Sequence, residues 1–338
     1  MASRDHILRP TFAALFLIGT VAGCSDLVVN PGDHTDNALD FERAWAITDS
    51  VYPYFEFKHI NWDSIHTAYK PLADGAKGDK ISQVLFEMLA ELKDGHVDVK
   101  TQKGQEVRTY TPPRTERDRF TFDPLLVHKY FAEALKLAGE NRMEYGILPD
   151  GIGYIRISAF DRGPWISEFA NVLAFLRDTK GLILDVRDNG GGSTNMSDII
   201  VSRFLTSPLP YFPMYRGGKQ LPVLSLPPSG PFTYLNPVVV LINGVSFSTT
   251  ECFAEMMKQV QNVTVVGDTT GGGGGAPEYY PLPSGRQIRV STKNICRYDG
   301  EPQEWNGVPP DIVVMQTRSD VKNGHDLQLE RAIALLRE

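Results

Sequence analysis

The chain has 338 residues, of which 42% are hydrophobic and 22% charged; this composition supports one large core or two modest ones and gives no sign of disorder. Its net charge of −7 and pI near 5.6, without any run of Lys or Arg, disfavour nucleic acid as a partner, because phosphate binding calls for clustered positive charge.

At the N-terminus, Arg4 and Arg9 precede an apolar stretch from Phe12 to Val21 that is too short to span a bilayer, closed by Val21-Ala22-Gly23-Cys24. This segment, 1–24, resembles a bacterial lipoprotein signal. The resemblance implies export and lipidation of Cys24, which would anchor the protein to the membrane of the cell envelope. Residues 25–37, with Asn30-Pro31-Gly32-Asp33, read as a tether between anchor and fold.

Residues 38–100 are expected to form a small helical subdomain. Ala38–Tyr52, Asp63–Tyr69 and Lys80–Leu92 carry helical periodicity, the first two stopped by Pro53 and Pro71. Lys93-Asp94-Gly95-His96 follows the third helix, so His96 sits just past a helix C-terminus, on a connection whose side chains can point into a cleft. Residues 101–150 read as a linker segment, with Thr111-Pro112-Pro113-Arg114 as a turn or extended piece and Pro124 to Leu137 as a helix.

From Gly151 onward the pattern becomes α/β. Strands are expected at Tyr154–Ile157, Gly181–Val186, Val238–Ile242 and Val263–Val266, with helices at Trp165–Arg177 and Ser197–Leu205. Arg187-Asp188-Asn189-Gly190-Gly191-Gly192 leaves the C-terminal end of a buried strand, where ligand sites of open α/β sheets collect. It matches neither the dinucleotide fingerprint nor the phosphate loop, and its glycines instead offer bare backbone N–H groups.

The stretch 237–275 is the most informative. Val238–Ile242 is apolar and β-branched, Asn243-Gly244 breaks it, and Cys252, Phe253, Met256, Met257 and Val260 then recur at helical spacing. A serine between strand and helix stands among exposed amides at the positive end of a helix, where a developing oxyanion is stabilised. Ser248-Thr249-Thr250-Glu251 is also a capping box, which needs no chemistry. Cys252 falls on the core face of this helix, and it and Cys296 are expected as free thiols. With no H-E-x-x-H and no Cys/His cluster at ligand spacing, neither metal catalysis nor a cofactor is expected.

Five segments stand in order: LKDGHV at 92–97, LDVRDNGGG at 184–192, NGVSFSTTE at 243–251, VVGDTTGG at 265–272 and EWNGVPPDI at 304–312. Together they resemble the S41 serine peptidases, the family of the C-terminal processing and tricorn proteases. The resemblance implies a ClpP/crotonase-like catalytic core over 151–338, a mixed α+β or α/β fold with helices flanking a mixed sheet. It also implies Ser248, rather than Ser246, as the nucleophile. The position at which the processing proteases carry a lysine falls on Gly273, so their Ser/Lys dyad is absent there. The tricorn-like pattern of histidine and glutamate falls on His96 and Glu304. By this resemblance Ser248 attacks, His96 is base and then acid, Glu304 orients His96, and the N–H groups of Thr249 and Gly191 or Gly192 form the oxyanion hole. The family's PDZ domain has no room between the D-G-H motif and the sheet. The implied activity is endopeptidase cleavage of peptides or unfolded proteins outside the cytoplasm, with a non-catalytic binding protein on the same fold as the alternative.

Overall fold

The computed structural model describes residues 37–76 and 78–338. The expected signal segment, Cys24 and the tether up to residue 36 lie outside the described residues. Among the described residues, no helix is long and apolar enough to cross a membrane.

Three helices open the fold, Asn37–Val51, Trp62–Gly75 and Lys80–Ala90. The third presents Ile81, Val84, Leu85, Met88 and Leu89 as one buried face. They pack on Phe41, Tyr52, Tyr54 and Trp62 and on Val97, Val99, Leu282, Ile288 and Val290 from strands distant in sequence. The second helix runs through Pro71 instead of stopping at it. Pro71 and Thr67, whose carbonyl loses its intrahelical partner, are both exposed, so the acceptor is open to solvent and the break is tolerated.

The main sheet has seven strands in the order Ile312–Val313, Val263–Gly267, Val238–Ile242, Leu182–Asp185, Gly153–Ile157, Met143–Ile147 and Lys136–Ala138. The first five run parallel, and the last two are added antiparallel. Alternate residues of the central strands enter two different cores. Leu182, Leu184, Val238, Val240 and Ile242 face one side, and Ile183, Val239 and Leu241 face the other. Burial on both faces is why these strands are continuously apolar.

A second, antiparallel sheet of four strands joins Pro277–Pro281, Gln287–Ser291, Asp98–Lys100 and Glu106–Arg108. Residues 101–150 are therefore more than a linker: they supply the strand at Glu106–Arg108 and both antiparallel strands of the main sheet. The expected helix from Pro124 to Leu137 is confined to Pro124–Val127 and a 3-10 turn at His128–Tyr130. Lys136–Ala138 then pairs with Met143–Ile147, so tertiary pairing overrides the local helical pattern. Cys252 and Cys296 are buried free thiols.

Arg187 ties the C-terminal helix to the sheet. Fully buried, it is bonded to both oxygens of Asp185 at 2.9 and 2.6 Å and to both oxygens of Asp326 at 2.7 and 2.9 Å. Removing the guanidinium strands two buried carboxylates. Arg187→Ala is expected to cost about 3–5 kcal/mol of stability, read from the urea unfolding midpoint; a loss below about 1 kcal/mol would show that the cluster is dispensable.

Candidate active site

The strand Val238–Ile242 ends in a turn held by Asn243, whose Oδ1 accepts the amides of Asp188, Val245 and Ser246 at 3.1, 3.2 and 3.2 Å. Ser246 is fully buried and its hydroxyl donates to the Val186 carbonyl at 2.8 Å, a structural bond. Ser248 adopts φ 60° and ψ −123°, a left-sided conformation that is costly for a residue with a Cβ, directly before the helix Thr249–Met257. Such a turn lifts the serine oxygen out of the sheet. Glu251's amide goes to the Ser248 carbonyl at 2.9 Å. The Ser248 hydroxyl lies 2.8 Å from His96 Nε2.

His96 is brought there by the turn after the third helix. Asp94 Oδ1 accepts the His96 amide at 2.8 Å, and Asp94 Oδ2 accepts the Ser291 hydroxyl at 2.8 Å, so the carboxylate pins the His96 backbone to the second sheet. His96 is 2% exposed and its ring packs tilted against Phe247 with ring centres 4.8 Å apart. Burial depresses its pKa to about 4, against the opposing pull of Asp94. Its Nδ1 has no hydrogen-bond partner among the described residues.

Glu304 is close but differently engaged. A ring nitrogen of His96 and carboxylate oxygens of Asp94 and Glu304 lie within 4.8 Å of one another. Glu304 Oε1, however, pairs with Lys58 Nζ at 2.6 Å, and Oε2 accepts the Gly274 amide at 3.3 Å. The expected bond from Glu304 to His96 is not made in this structure. Lys58 also donates to the carbonyls of Leu92 and Lys93 at 2.9 and 3.1 Å and lies 4.8 Å from the centre of the Trp305 ring. Burial, and then the Asp94 charge, raise the Glu304 pKa well above the ordinary range, against the pull of Lys58. Asp94, His96 and Glu304 form a possible set of metal donors, but the Lys58 ammonium already supplies the positive charge there.

Gly271–Gly275 is a buried belt rather than a loose loop. A Cβ on Gly273 would stand 2.1 Å from the Phe247 ring, one on Gly275 1.9 Å from Ser291 Oγ and 3.3 Å from His96 Nδ1, and one on Gly272 2.9 Å from the Trp305 backbone. Bare backbone is thus required wherever the belt passes the site. Glu251 holds it in place. Fully buried, its carboxylate accepts from the amides of Ser248, Gly272 and Gly273 at 2.9, 2.9 and 2.6 Å and from the Thr270 hydroxyl at 2.6 Å.

Gly191 and Gly192 approach Ser248 from the neighbouring strand end. A Cβ on Gly191 would lie 2.8 Å from Ser248 Cβ and 2.9 Å from Thr249 N. Its own amide is already taken by Asn189 Oδ1 at 2.9 Å. The Gly192 carbonyl accepts the Thr249 hydroxyl at 2.8 Å, which fixes the two segments side by side. Lys58, Asp94 and Phe247 were not singled out from sequence. Only Asp94 carried a signal, its place in the D-G-H motif.

Residues 151–314 match the description of peptidase family S41, and residues 33–90 match the tricorn protease C1 domain. The chain is 28% identical over 229 residues to a carboxy-terminal-processing protease of Bartonella bacilliformis, covering 65% of this chain and 50% of that one. It is 30% identical over 194 residues to a carboxyl-terminal-processing protease of Synechocystis, covering 55% and 44%. The chain thus spans about half the length of these curated relatives. A crystal structure of a candidate peptidase from Parabacteroides merdae shares 34% identity and superposes with a TM-score of 0.79, over 90% of this chain and 97% of that one.

The contact between Gly273 and Phe247 generates a test. Gly273→Ala drives a methyl into the buried ring and is expected to cost about 1–3 kcal/mol, measured by urea unfolding. A neutral substitution would mean that the belt can shift and that glycine is not required there.

Proposed function

We propose that this chain, which belongs to peptidase family S41, is a serine endopeptidase that cleaves peptides or unfolded proteins outside the cytoplasm, with Ser248 as nucleophile and His96 as its base. The observation that carries this reading is the 2.8 Å contact between Ser248 Oγ and His96 Nε2 at a strained strand-to-helix turn. A serine hydroxyl becomes a competent nucleophile when a neutral imidazole takes its proton. A pKa of about 4 keeps His96 neutral, hence able to accept a proton, throughout the physiological range.

In this reading Ser248 Oγ attacks the scissile carbonyl carbon while its proton passes to His96 Nε2. The oxyanion is met by the Thr249 amide at the start of its helix and by the Gly192 amide, since Gly191 N–H is occupied by Asn189. His96 returns the proton to the leaving amine, and a water molecule activated the same way hydrolyses the acyl-enzyme. Asp94 fixes the position of the imidazole through the backbone, and the Lys58–Glu304 pair lies next to it. Glu304 serves as the orienting carboxylate if its side chain turns from Lys58 to Nδ1 when substrate binds. The phenylalanine in the space of a lysine at 273, together with His96, supports the tricorn-like branch. The V-A-G-C signal supports export with Cys24 as lipid anchor.

Three results test these assignments. A fluorophosphonate probe is expected to label Ser248, and Ser248→Ala and His96→Ala are each expected to abolish labelling and peptide cleavage in folded protein, because the pair acts as a unit. Failure of the folded wild type to label would favour a binding protein on this fold.

The pH profile follows from the sign of the His96 shift. Because the base must be unprotonated and burial lowers its pKa, kcat/KM is expected to hold from pH 7 to 5 and to fall through a midpoint near 4. A midpoint at the unperturbed value of about 6.5 would show that the site is more hydrated than this structure.

Cys24→Ser is expected to release the protein from membrane fractions. Mass spectrometry finding no lipid on the mature N-terminus would overturn the anchor.

A further inference from the structure

The segment between the first two helices carries three polar tips into the base side of the candidate site. The Tyr52 hydroxyl donates to the Leu92 carbonyl at 3.4 Å. The Tyr54 hydroxyl donates to the Gly274 carbonyl at 2.5 Å and accepts the Ile295 amide at 3.3 Å. Lys58 bonds Glu304. One short segment thus ties the helical core to the turn before His96, to the glycine belt and to Glu304. The side chains of Lys58 and Glu304 are 0% and 1% exposed. A buried ion pair adds little stability over an apolar pair of similar size, so its place beside the base calls for a reason other than packing.

The two partners depend on each other unequally. An ammonium has three N–H donors, and Lys58 uses them on the Leu92 carbonyl at 2.9 Å, the Lys93 carbonyl at 3.1 Å and Glu304 Oε1 at 2.6 Å. The rings of Tyr52, Tyr54 and Trp305 lie around it, 5.7, 5.7 and 4.8 Å away at their centres. Two carbonyls and three rings therefore stabilise the cation without Glu304. Glu304 has Lys58 and the Gly274 amide at 3.3 Å. Beside it, buried and unpartnered among the described residues, is His96 Nδ1. A ring nitrogen of His96 and an oxygen of Glu304 lie within 4.8 Å. A shift of about 2 Å, within the reach of side-chain rotation, brings the carboxylate to a charge-assisted bond of about 2.8 Å.

Resting on the serine-peptidase reading, we propose that Lys58 is a positioning residue: it holds Glu304 off His96 Nδ1 in the free protein and cedes it when the imidazolium forms. The neutral imidazole needs no counter-ion, and Lys58 keeps the buried carboxylate paired. Once His96 has taken the serine proton, the carboxylate turns to Nδ1–H, and the ammonium keeps its carbonyls and rings. One ion pair replaces another, so Glu304 is never left as an unpaired buried charge. Tyr54 pins Gly274 through its carbonyl, so the belt stays in place as the carboxylate leaves its amide. The other charged or ionisable groups facing His96 or Glu304 are Asp94 from the same turn, Arg108 and Arg289 from the second sheet, Glu251 from the helix after Ser248, and Tyr52, Tyr54 and Tyr110. None of these side chains bonds Glu304, which leaves Lys58 as the one that holds it.

The test compares wild type, Lys58→Met, Glu304→Gln and the double variant, each as the full chain, by the pH profile of kcat/KM and by NMR of the His96 ring. Without Lys58 the carboxylate turns to His96 and favours its charged form. In Lys58→Met the acid limb is therefore expected to move up by about one pH unit or more, a tenfold change in the ionisation constant. In the Glu304→Gln background the same substitution is expected to lose most of that shift, because the two side chains act through one contact. A shift of equal size in both backgrounds makes Lys58 a distant charge, and no shift beside a lowered unfolding midpoint makes it a structural residue; either overturns the proposal. If Lys58→Met does not fold, wild type decides. Phenylboronic acid forms a negatively charged tetrahedral adduct on Ser248 Oγ, which favours the imidazolium. That complex is expected to show the downfield Nδ1 proton of a carboxylate-bound ring, and Glu304→Gln to lack it; its absence from wild type overturns the proposal. If wild type neither cleaves peptide nor binds the boronate, the peptidase reading falls, and the NMR titration of His96 in Lys58→Met against wild type still decides whether Lys58 holds Glu304.

Discussion

The site depends on one buried carboxylate. Glu251 lies fully inside the protein, where an unpaired charge would be prohibitive, and four donors satisfy it. Those donors come from two segments that would otherwise be independent: the turn carrying Ser248, and the belt that includes Thr270, Gly272 and Gly273. Each bond to an ionised acceptor is stronger and shorter than a neutral one. Glu251 therefore holds Ser248 in an unfavourable backbone conformation and sets the belt at the distance that lets it pass beside His96. What reads as a helix cap in the sequence is also the fastening of the site. The strain at Ser248 is maintained by contacts outside it, as strain at functional positions generally is.

The centre of the candidate site was legible wherever local pattern and burial agree. Val238–Ile242 is apolar because both its faces are covered, and a strand ending in Asn-Gly before a helical repeat has few other readings. His96 was visible through the glycine beside it. The parts that escaped are those set by tertiary contact alone. Lys58 lies in an aromatic stretch without periodicity, and its meaning arises only because Leu92, Lys93 and Glu304 converge on its ammonium. The strands at Lys136–Ala138 and Met143–Ile147 are short, partly exposed edge additions, in which pairing rather than hydrophobic pattern decides the structure.

Phe247 joins two features that the sequence presents as unrelated. The residue between the two serines of the motif packs its ring on the imidazole and fills the space a side chain at Gly273 would need. With that ring in place, a lysine at 273 has no room, and on the proposed reading the base comes from another direction. His96 enters from the second sheet, across a contact between two cores. The glycine at 273 and the position of His96 beside Ser248 both follow from the placement of the Phe247 ring.

That arrangement also accounts for the low basicity of His96. A histidine pressed against a phenyl ring and a glycine backbone is shielded from water, which disfavours its charged form. On the proposed reading, stabilising the imidazolium during turnover therefore falls to neighbouring carboxylates. Asp94 is committed to two hydrogen bonds and can act on the ring only through its field. Glu304 is held by a side chain, Lys58, that also has two carbonyls to bond. Lys58 has alternative acceptors and so is a releasable partner, and the second bond of Glu304, from the Gly274 amide, is long at 3.3 Å, whereas Asp94 is held at 2.8 Å by both the His96 amide and the Ser291 hydroxyl. If either carboxylate moves toward Nδ1 as the imidazolium forms, it is Glu304, and Lys58 then keeps its two backbone partners while the charge it neutralised shifts to the histidine.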